Sequence, residues 1–496
     1  MTRSGAEHLS YIRTGVPGLD AVLGQGLPRF SFNIVAGSPG AGKTTLVQHM
    51  LFNLATREEA ALYVTVLGEP PLKMLRYQRA FSFFDDAKVG TAIHFLNLND
   101  EVMSVAPGAM VDRILEEVER IGPAYVVVDS FRSFARIVLE RDGGSTEELQ
   151  SYVYRLALSL AALEATTFLV GEYPSAHEAS SNSVFTVADG ILWIYQPIDN
   201  NSTTRKLQVM KMRGGDALPG LHSLRITGDG LRVYPRGYRK EEVPTPAARF
   251  ATRLSTGIPG LDEMMGGGIP RGETVLLAGP PGSGKSTLAL QYAAAGLRAG
   301  ESVVLAVFEE RPSGYRAKAR SMGLDLDGYI EKGQAEVVYL RALDLSVDET
   351  LFELHESVNR LGAQRVVLDS VSGLEVALAP TYEADFRETL YNLSAFLTDL
   401  GITVLMTVEN IEAFDRIHFT PNAISLIADT FLLQRYVELE GRLRPVMAVV
   451  KMRHSHHDRA VRLLDIRDDG IRIGDTLEEY QRVITGIPIA PGGSQD

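Results

Sequence analysis

Two copies of one phosphate-binding pattern, G-x-x-x-x-G-K-[S/T], constrain this chain more than any other feature. The first is Gly37-Ser38-Pro39-Gly40-Ala41-Gly42-Lys43-Thr44 and the second is Gly279-Pro280-Pro281-Gly282-Ser283-Gly284-Lys285-Ser286. Each follows an apolar run, FNIVA ending at Ala36 or TVLLA ending at Ala278, and each leads into a helix-forming run that begins at Thr45 or Thr287. The glycines let the backbone turn its N–H groups toward phosphate oxygens. The lysines, Lys43 and Lys285, carry positive charge to the β- and γ-phosphates, and the hydroxyls of Thr44 and Ser286 can ligate Mg²⁺. The helix that follows places its N-terminus at the phosphates. Two nucleoside triphosphate sites are implied, each in a strand–loop–helix setting.

The two loops belong to a longer repeat. Their lysines are 242 residues apart, and Thr14-Gly15-Val16-Pro17-Gly18-Leu19-Asp20 returns as Thr256-Gly257-Ile258-Pro259-Gly260-Leu261-Asp262. Lys211-Met212-Arg213 returns 240 residues later as Lys451-Met452-Arg453. A period of this length is a duplicated domain, and a charged, proline-containing stretch at 236–249 separates the copies. The expected domains are 1–243 and 244–496. In each, mostly continuous Val/Ile/Leu strands alternate with helices, which predicts an α/β fold with a mostly parallel sheet covered on both faces. Later strands, at 188–195 and 206–212 in the first copy, read as partly antiparallel. Hydrophobic content of 45% over 496 residues is ample for two cores.

Composition excludes several chemistries. The absence of cysteine rules out disulfides, thiolate zinc sites and cysteine nucleophiles. A net charge of −13 disfavours nucleic acid as the partner. The first residues, MTRSGAEHLSYIRTG, have no signal-peptide apolar core, and no apolar run approaches the ~20 residues that span a bilayer. The expectation is a cytoplasmic protein with no membrane partner.

The candidate catalytic groups stand where strands end. Asp129 closes Val126-Val127-Val128 and Asp369 closes Val366-Val367-Leu368, as expected of aspartates that hold Mg²⁺ opposite the loop hydroxyl. Hydrolysis also needs a group that orients or deprotonates water. The second copy offers Glu309-Glu310 after its second strand, whereas the first has Leu67-Gly68-Glu69 there and keeps one carboxylate, displaced by one residue. The two copies are expected to be unequal in catalysis.

With these residues in hand, the chain resembles the KaiC-type ATPases of the RecA superfamily, the family that includes the cyanobacterial clock kinase. The likeness runs over nearly the whole length and includes Ile484-Thr485-Gly486-Ile487-Pro488. It implies tandem RecA-like P-loop NTPase domains in a homohexameric double ring, with ATP and Mg²⁺ between subunits. It also implies that Glu309 and Glu310 are catalytic, and that Lys211, Arg213, Lys451 and Arg453 contact a neighbour's γ-phosphate. The family's second domain can phosphorylate an adjacent serine and threonine. Here Ser425 stands at the serine position, Leu426 replaces the threonine, and Thr420 is a further candidate acceptor. A KaiB-like or other signalling protein is the implied partner. His454, His456 and His457 read as structural or nucleotide-edge residues, and Trp193 as core. Two other readings stand beside this one: a RecA/RadA-type DNA-dependent ATPase, and a nucleotide-gated scaffold with little turnover.

Overall fold

The central parallel strands are apolar runs because they are buried on both faces. A computed structural model of the protein describes residues 10–66, 71–98, 106–140, 144–173, 184–199, 202–236, 252–340, 347–377, 386–409, 427–480 and 483. The expected positions Glu69, Thr420 and Ser425, and the segment 484–488, lie outside the described residues. The chain divides into two units, Met1–Tyr238 and Arg239–Asp496.

The first unit holds a nine-stranded sheet. Its strands in chain order are β1 (Phe32–Gly37), β2 (Ala61–Thr65), β3 (Ile93–Asn97), β4 (Tyr125–Asp129), β5 (Thr166–Glu172), β6 (Gly190–Tyr195), β7 (Arg205–Met212), β8 (His222–Thr227) and β9 (Gly230–Tyr234). They lie side by side as β3-β2-β4-β5-β1-β6-β7-β8-β9. The first six are parallel and the last three run antiparallel. Alternation along each strand feeds two cores. Ile34, Val126 and Val128 pack on one face, with Met110, Ile114 and Val153 of the helices Pro107–Ile121 and Thr146–Ala162. Val35, Tyr63, Val127 and Phe168 pack on the other, under α1 (Lys43–Leu54). Trp193, 2% exposed, is core, as expected.

The second unit repeats the order. Its strands are β10 (Thr274–Gly279), β11 (Val303–Val307), β12 (Ala335–Tyr339), β13 (Arg365–Asp369), β14 (Thr403–Glu409), β15 (Thr430–Leu439), β16 (Arg442–Met452), β17 (Arg462–Arg467) and β18 (Gly470–Thr476). They pair as β12-β11-β13-β14-β10-β15-β16-β17-β18. The helices α2 (Lys285–Arg298) and α3 (Pro312–Ser321) follow β10 and β11.

The repeated T-G-x-P-G-L-D opening is a structural device. Asp20 accepts from the backbone N–H and hydroxyl of Thr14, both at 2.8 Å, and Asp262 accepts from Thr256 in the same way at 2.8 and 2.6 Å. Gly18 has φ +77°, and a Cβ there would lie 1.8 Å from the carbonyl oxygen of Val233. Only glycine fits that approach.

Candidate functional site

Both phosphate loops leave a central strand at its C-terminal end and enter a helix, which is where open α/β sheets bind ligands. Gly42 and Gly284, the residues before α1 and α2, adopt φ +107° and +91°, so each turn needs glycine. Lys43 and Lys285 open their helices and are nearly buried. Lys43 Nζ donates to the carbonyl oxygen of Ser38 at 2.8 Å. Lys285 Nζ donates to Gly279 and Pro280 at 3.0 and 2.9 Å. Burial pulls both lysine pKa values down, and neighbouring carboxylates push back: Glu172 and Asp129 at Lys43, then Glu409, Asp369 and Glu309 at Lys285.

In the first unit the loop hydroxyl and the strand-end aspartate meet. Thr44 Oγ1 donates to Asp129 Oδ2 at 2.8 Å, and the Tyr63 hydroxyl donates to the same oxygen at 2.6 Å. Burial raises the Asp129 pKa, and the two hydroxyls and Lys43 oppose that rise. Burial, reinforced by the Asp129 charge, holds the Tyr63 hydroxyl well above its ordinary range. In the second unit Thr407 Oγ1 donates to Asp369 Oδ1 at 2.5 Å. Tyr315 of α3 is buried beside that carboxylate, and burial likewise raises its hydroxyl pKa. The two units therefore bring a tyrosine to the aspartate from different elements, a strand in one and a helix in the other. An oxygen-only set of hydroxyl and carboxylate beside a phosphate loop suits a hard divalent cation such as Mg²⁺.

The second unit's cleft gathers Lys285, Ser286, Thr287, Glu309, Glu310 and Asp369 into one space, joined by Tyr315, Lys318, Glu409 and Ile466. Ser370 Oγ donates to Glu309 Oε1 at 3.3 Å, and the Glu310 carboxylate lies against Gly314 at the start of α3. Ser283 and Gln434 are buried partners, with Ser283 Oγ donating to Gln434 Oε1 at 2.9 Å. The matching pair in the first unit is Ala41 and Ile194, both apolar and buried.

The Lys-x-Arg residues do not join their own loop. β7 runs antiparallel to β6, and Met212 sits opposite Gly190, which in turn pairs with Asn33 near the start of β1. Gly37 is four residues further along β1, roughly 13 Å away. Lys211 Nζ instead donates to the Thr186 carbonyl at 3.3 Å, and Arg213 Nη1 reaches Asp189 Oδ1 at 3.2 Å. Lys451 and Arg453 repeat this with Ala428 at 2.7 Å and Asp429 at 3.5 Å. Both aspartates also accept a backbone N–H from the loop strand, Phe32 at 3.0 Å and Thr274 at 3.1 Å. His454 Nδ1 lies 3.1 Å from the buried Glu273 carboxylate, which also accepts from Thr430. Among the described residues no cluster of three or more histidines and carboxylates is placed to hold a metal ion.

Sequence reasoning missed Tyr63, Tyr315, Thr407 and Gln434, which read as ordinary strand or helix residues, and it missed Glu172 and Glu409. These two end the strand beside the loop strand, paired with Gly37 and Gly279, and lie 4.0 and 3.8 Å from the loop lysines. Their signal was available: each is the carboxylate closing an apolar strand, in FLVGE and VLMTVE.

Fold and site together define a tandem P-loop ATPase built on two RecA-like α/β domains. A profile of the KaiC ATPase family matches residues 12–238 and again 254–478. The chain belongs to that family. Its relatives include the circadian clock oscillator protein KaiC of Rippkaea orientalis and that of Synechococcus elongatus. Each is 26% identical, over 98% of this chain and 93% of its own length. The circadian clock oscillator protein KaiC 1 of Synechocystis is also 26% identical, over 96% of this chain and 91% of its own. No helix among the described residues is long and apolar enough to cross a membrane.

Proposed function

We propose that the protein is a KaiC-like signalling ATPase working as a homohexameric ring, with ATP held between subunits and phosphoryl transfer concentrated in the second unit. The observation that carries this reading is the convergence in one cleft of the loop lysine, the strand-end aspartate and the Glu309–Glu310 pair. Backbone N–H groups of 37–45 and 279–287 cradle the phosphates, while Lys43 and Lys285 neutralise them. Thr44 with Asp129, and Ser286 with Asp369, hold Mg²⁺, which when bound neutralises charge on the β- and γ-phosphates. Glu309 and Glu310 orient and deprotonate the attacking water.

The strand-end placement of Lys211, Arg213, Lys451 and Arg453 supports their acting on a neighbouring subunit's γ-phosphate, because their own loop lies at the other end of the sheet. Cations supplied in this way stabilise the charge that spreads over the transferring phosphoryl group. When a hydroxyl replaces water as acceptor, the same cleft phosphorylates the protein itself, with Ser425 the first candidate and Thr420 the second. A KaiB-like or other signalling protein would read the state of the ring, and the expected location is the cytoplasm.

Steady-state phosphate release from the native protein and from Glu309→Gln/Glu310→Gln tests the catalytic assignment. Loss of the general base should cut the second unit's turnover by about 10²–10⁴-fold, leaving only what the first unit contributes, and unchanged total turnover would sink it. Phosphosite mapping after incubation with ATP tests the kinase half. Phosphate on neither Ser425 nor Thr420 leaves a plain ATPase. ATPase activity stimulated by DNA and weakened by salt would instead favour the DNA-dependent reading.

A further inference from the structure

We propose that Glu172 is the carboxylate that orients and deprotonates the attacking water in the first unit, so that this unit hydrolyses ATP through a group other than a Glu-Glu pair. The inference rests on the ATP-hydrolysing reading above. Register identifies what the first unit lacks. Thr65 pairs with Asp129 as Val307 pairs with Asp369. Counting two and three residues onward gives Glu309 and Glu310 in the second unit but Leu67 and Gly68 in the first, where neither residue can take a proton.

Register also identifies what the first unit has. Glu172 ends β5, the strand lying between the loop strand and the aspartate strand, and pairs with Gly37, the first glycine of the loop. Its position is fixed from both sides. Arg132 Nη1 donates to the Glu172 carbonyl oxygen at 2.5 Å, and the next backbone N–H, that of Tyr173, donates to the carbonyl oxygen of Gly37 at 3.1 Å. Its carboxylate stands 4.0 Å from Lys43 Nζ and is half exposed, which leaves it open to the crevice. A carboxylate this close to the cation that would grip the γ-phosphate is placed to hold a water for attack on it.

Asp129, the other carboxylate acting on Lys43, cannot serve. Its Oδ2 already accepts from Thr44 and Tyr63, and it is committed to the metal side of the loop. In the step assigned to Glu172, the water oxygen bonds to the γ-phosphorus as the bond from that phosphorus to the β–γ bridging oxygen breaks. The leaving electron pair stays on ADP, and the water proton passes to the Glu172 carboxylate and then to solvent. Glu409 holds the equivalent place in the second unit, 3.8 Å from Lys285, but there it stands beside Glu309 and Glu310.

The test uses the full chain carrying Glu309→Gln/Glu310→Gln, in which the remaining phosphate release reports the first unit. Adding Glu172→Gln, which keeps the shape of the side chain, should lower that remainder by about 10²–10⁴-fold. Binding of a fluorescent ATP analogue should stay unchanged. A remainder that survives Glu172→Gln overturns the proposal. So does loss of analogue binding, which would make Glu172 a support for Lys43. Absence of any remainder before Glu172 is changed also overturns it, yet leaves the second-unit ATPase standing. Absence of turnover in the native protein overturns the ATPase reading itself.

Discussion

Replacing Tyr63 with phenylalanine removes one hydroxyl from the first unit and leaves the ring packed near Phe95, at 5.7 Å between centroids. The lost contact is the 2.6 Å hydrogen bond to Asp129 Oδ2, in a site where Tyr63 is only 1% exposed. A hydrogen bond to a charged group contributes about 1.5–3 kcal/mol. Thr44 still donates to the same oxygen, so the lower part of that range applies, about 1.5–2 kcal/mol. For a unit of this size that is a fall of roughly 3–8 °C in the melting transition. The pH dependence has a definite sign. Burial already raises the Asp129 pKa and the Tyr63 hydroxyl opposes the rise, so the variant's Asp129 takes up a proton at still higher pH. A group whose folded pKa is raised favours the fold below its unfolded pKa and loses that contribution as pH rises through its folded pKa. The cost of Tyr63→Phe is therefore largest near neutral pH and shrinks on acidification through the folded pKa. Mg²⁺-dependent nucleotide retention by the first unit should fail at higher pH than in the native protein. The second unit has Leu305 at the matching strand position and serves as the internal control. Calorimetry at two pH values, with a Mg²⁺ titration of nucleotide binding, measures both effects. A first-unit transition that is unmoved, or moved equally at both pH values, refutes the reasoning.

Three further outcomes follow from the geometry. Lys451→Ala/Arg453→Ala should lower the second unit's turnover by about 10³-fold or more, and mixing such subunits with Lys285→Ala subunits should restore part of it, because each contributes what the other lacks; no restoration in the mixture argues against action between subunits. Arg365 is 2% exposed, paired with Glu301 at 2.5 Å and stacked 4.6 Å from the Tyr292 ring; Arg365→Met should destabilise the second unit by about 3–5 kcal/mol in denaturant unfolding and leave the first unit unaffected. Ser283→Ala alone strips a buried amide of its partner and should cost about 1–3 kcal/mol, whereas Ser283→Ala/Gln434→Ile recreates the apolar pair of the first unit and should recover most of that stability; a double variant as unstable as the sum of the single changes contradicts the pairing.

Much of the fold was legible because its signals are local. The apolar run ending at Ala36 is found in the strand Phe32–Gly37, and Val126-Val127-Val128 with its closing Asp129 in the strand Tyr125–Asp129. The helix Phe131–Glu140, directly after Asp129, gave no comparable expectation. The loops announced themselves because phosphate binding needs glycine, lysine and hydroxyl at fixed spacing along one stretch of chain. Glu172 stayed hidden for the opposite reason. It is 129 residues from Lys43 in the chain, and only the pairing of β5 with β1 makes them neighbours.

By itself the sequence determined the duplication, the two phosphate loops, the class of sheet and the difference in carboxylates between 67–69 and 309–310. These follow from residue type and spacing within a strand or turn. The tertiary structure decided which groups share a site. It put the Lys-x-Arg cations at the far end of the sheet from their own loop. It delivered a tyrosine to each strand-end aspartate by two different routes, and it set Glu172 and Glu409 beside the lysines. Strand order and register govern such meetings, and neither is written in any one segment, because each depends on which buried strands pack together.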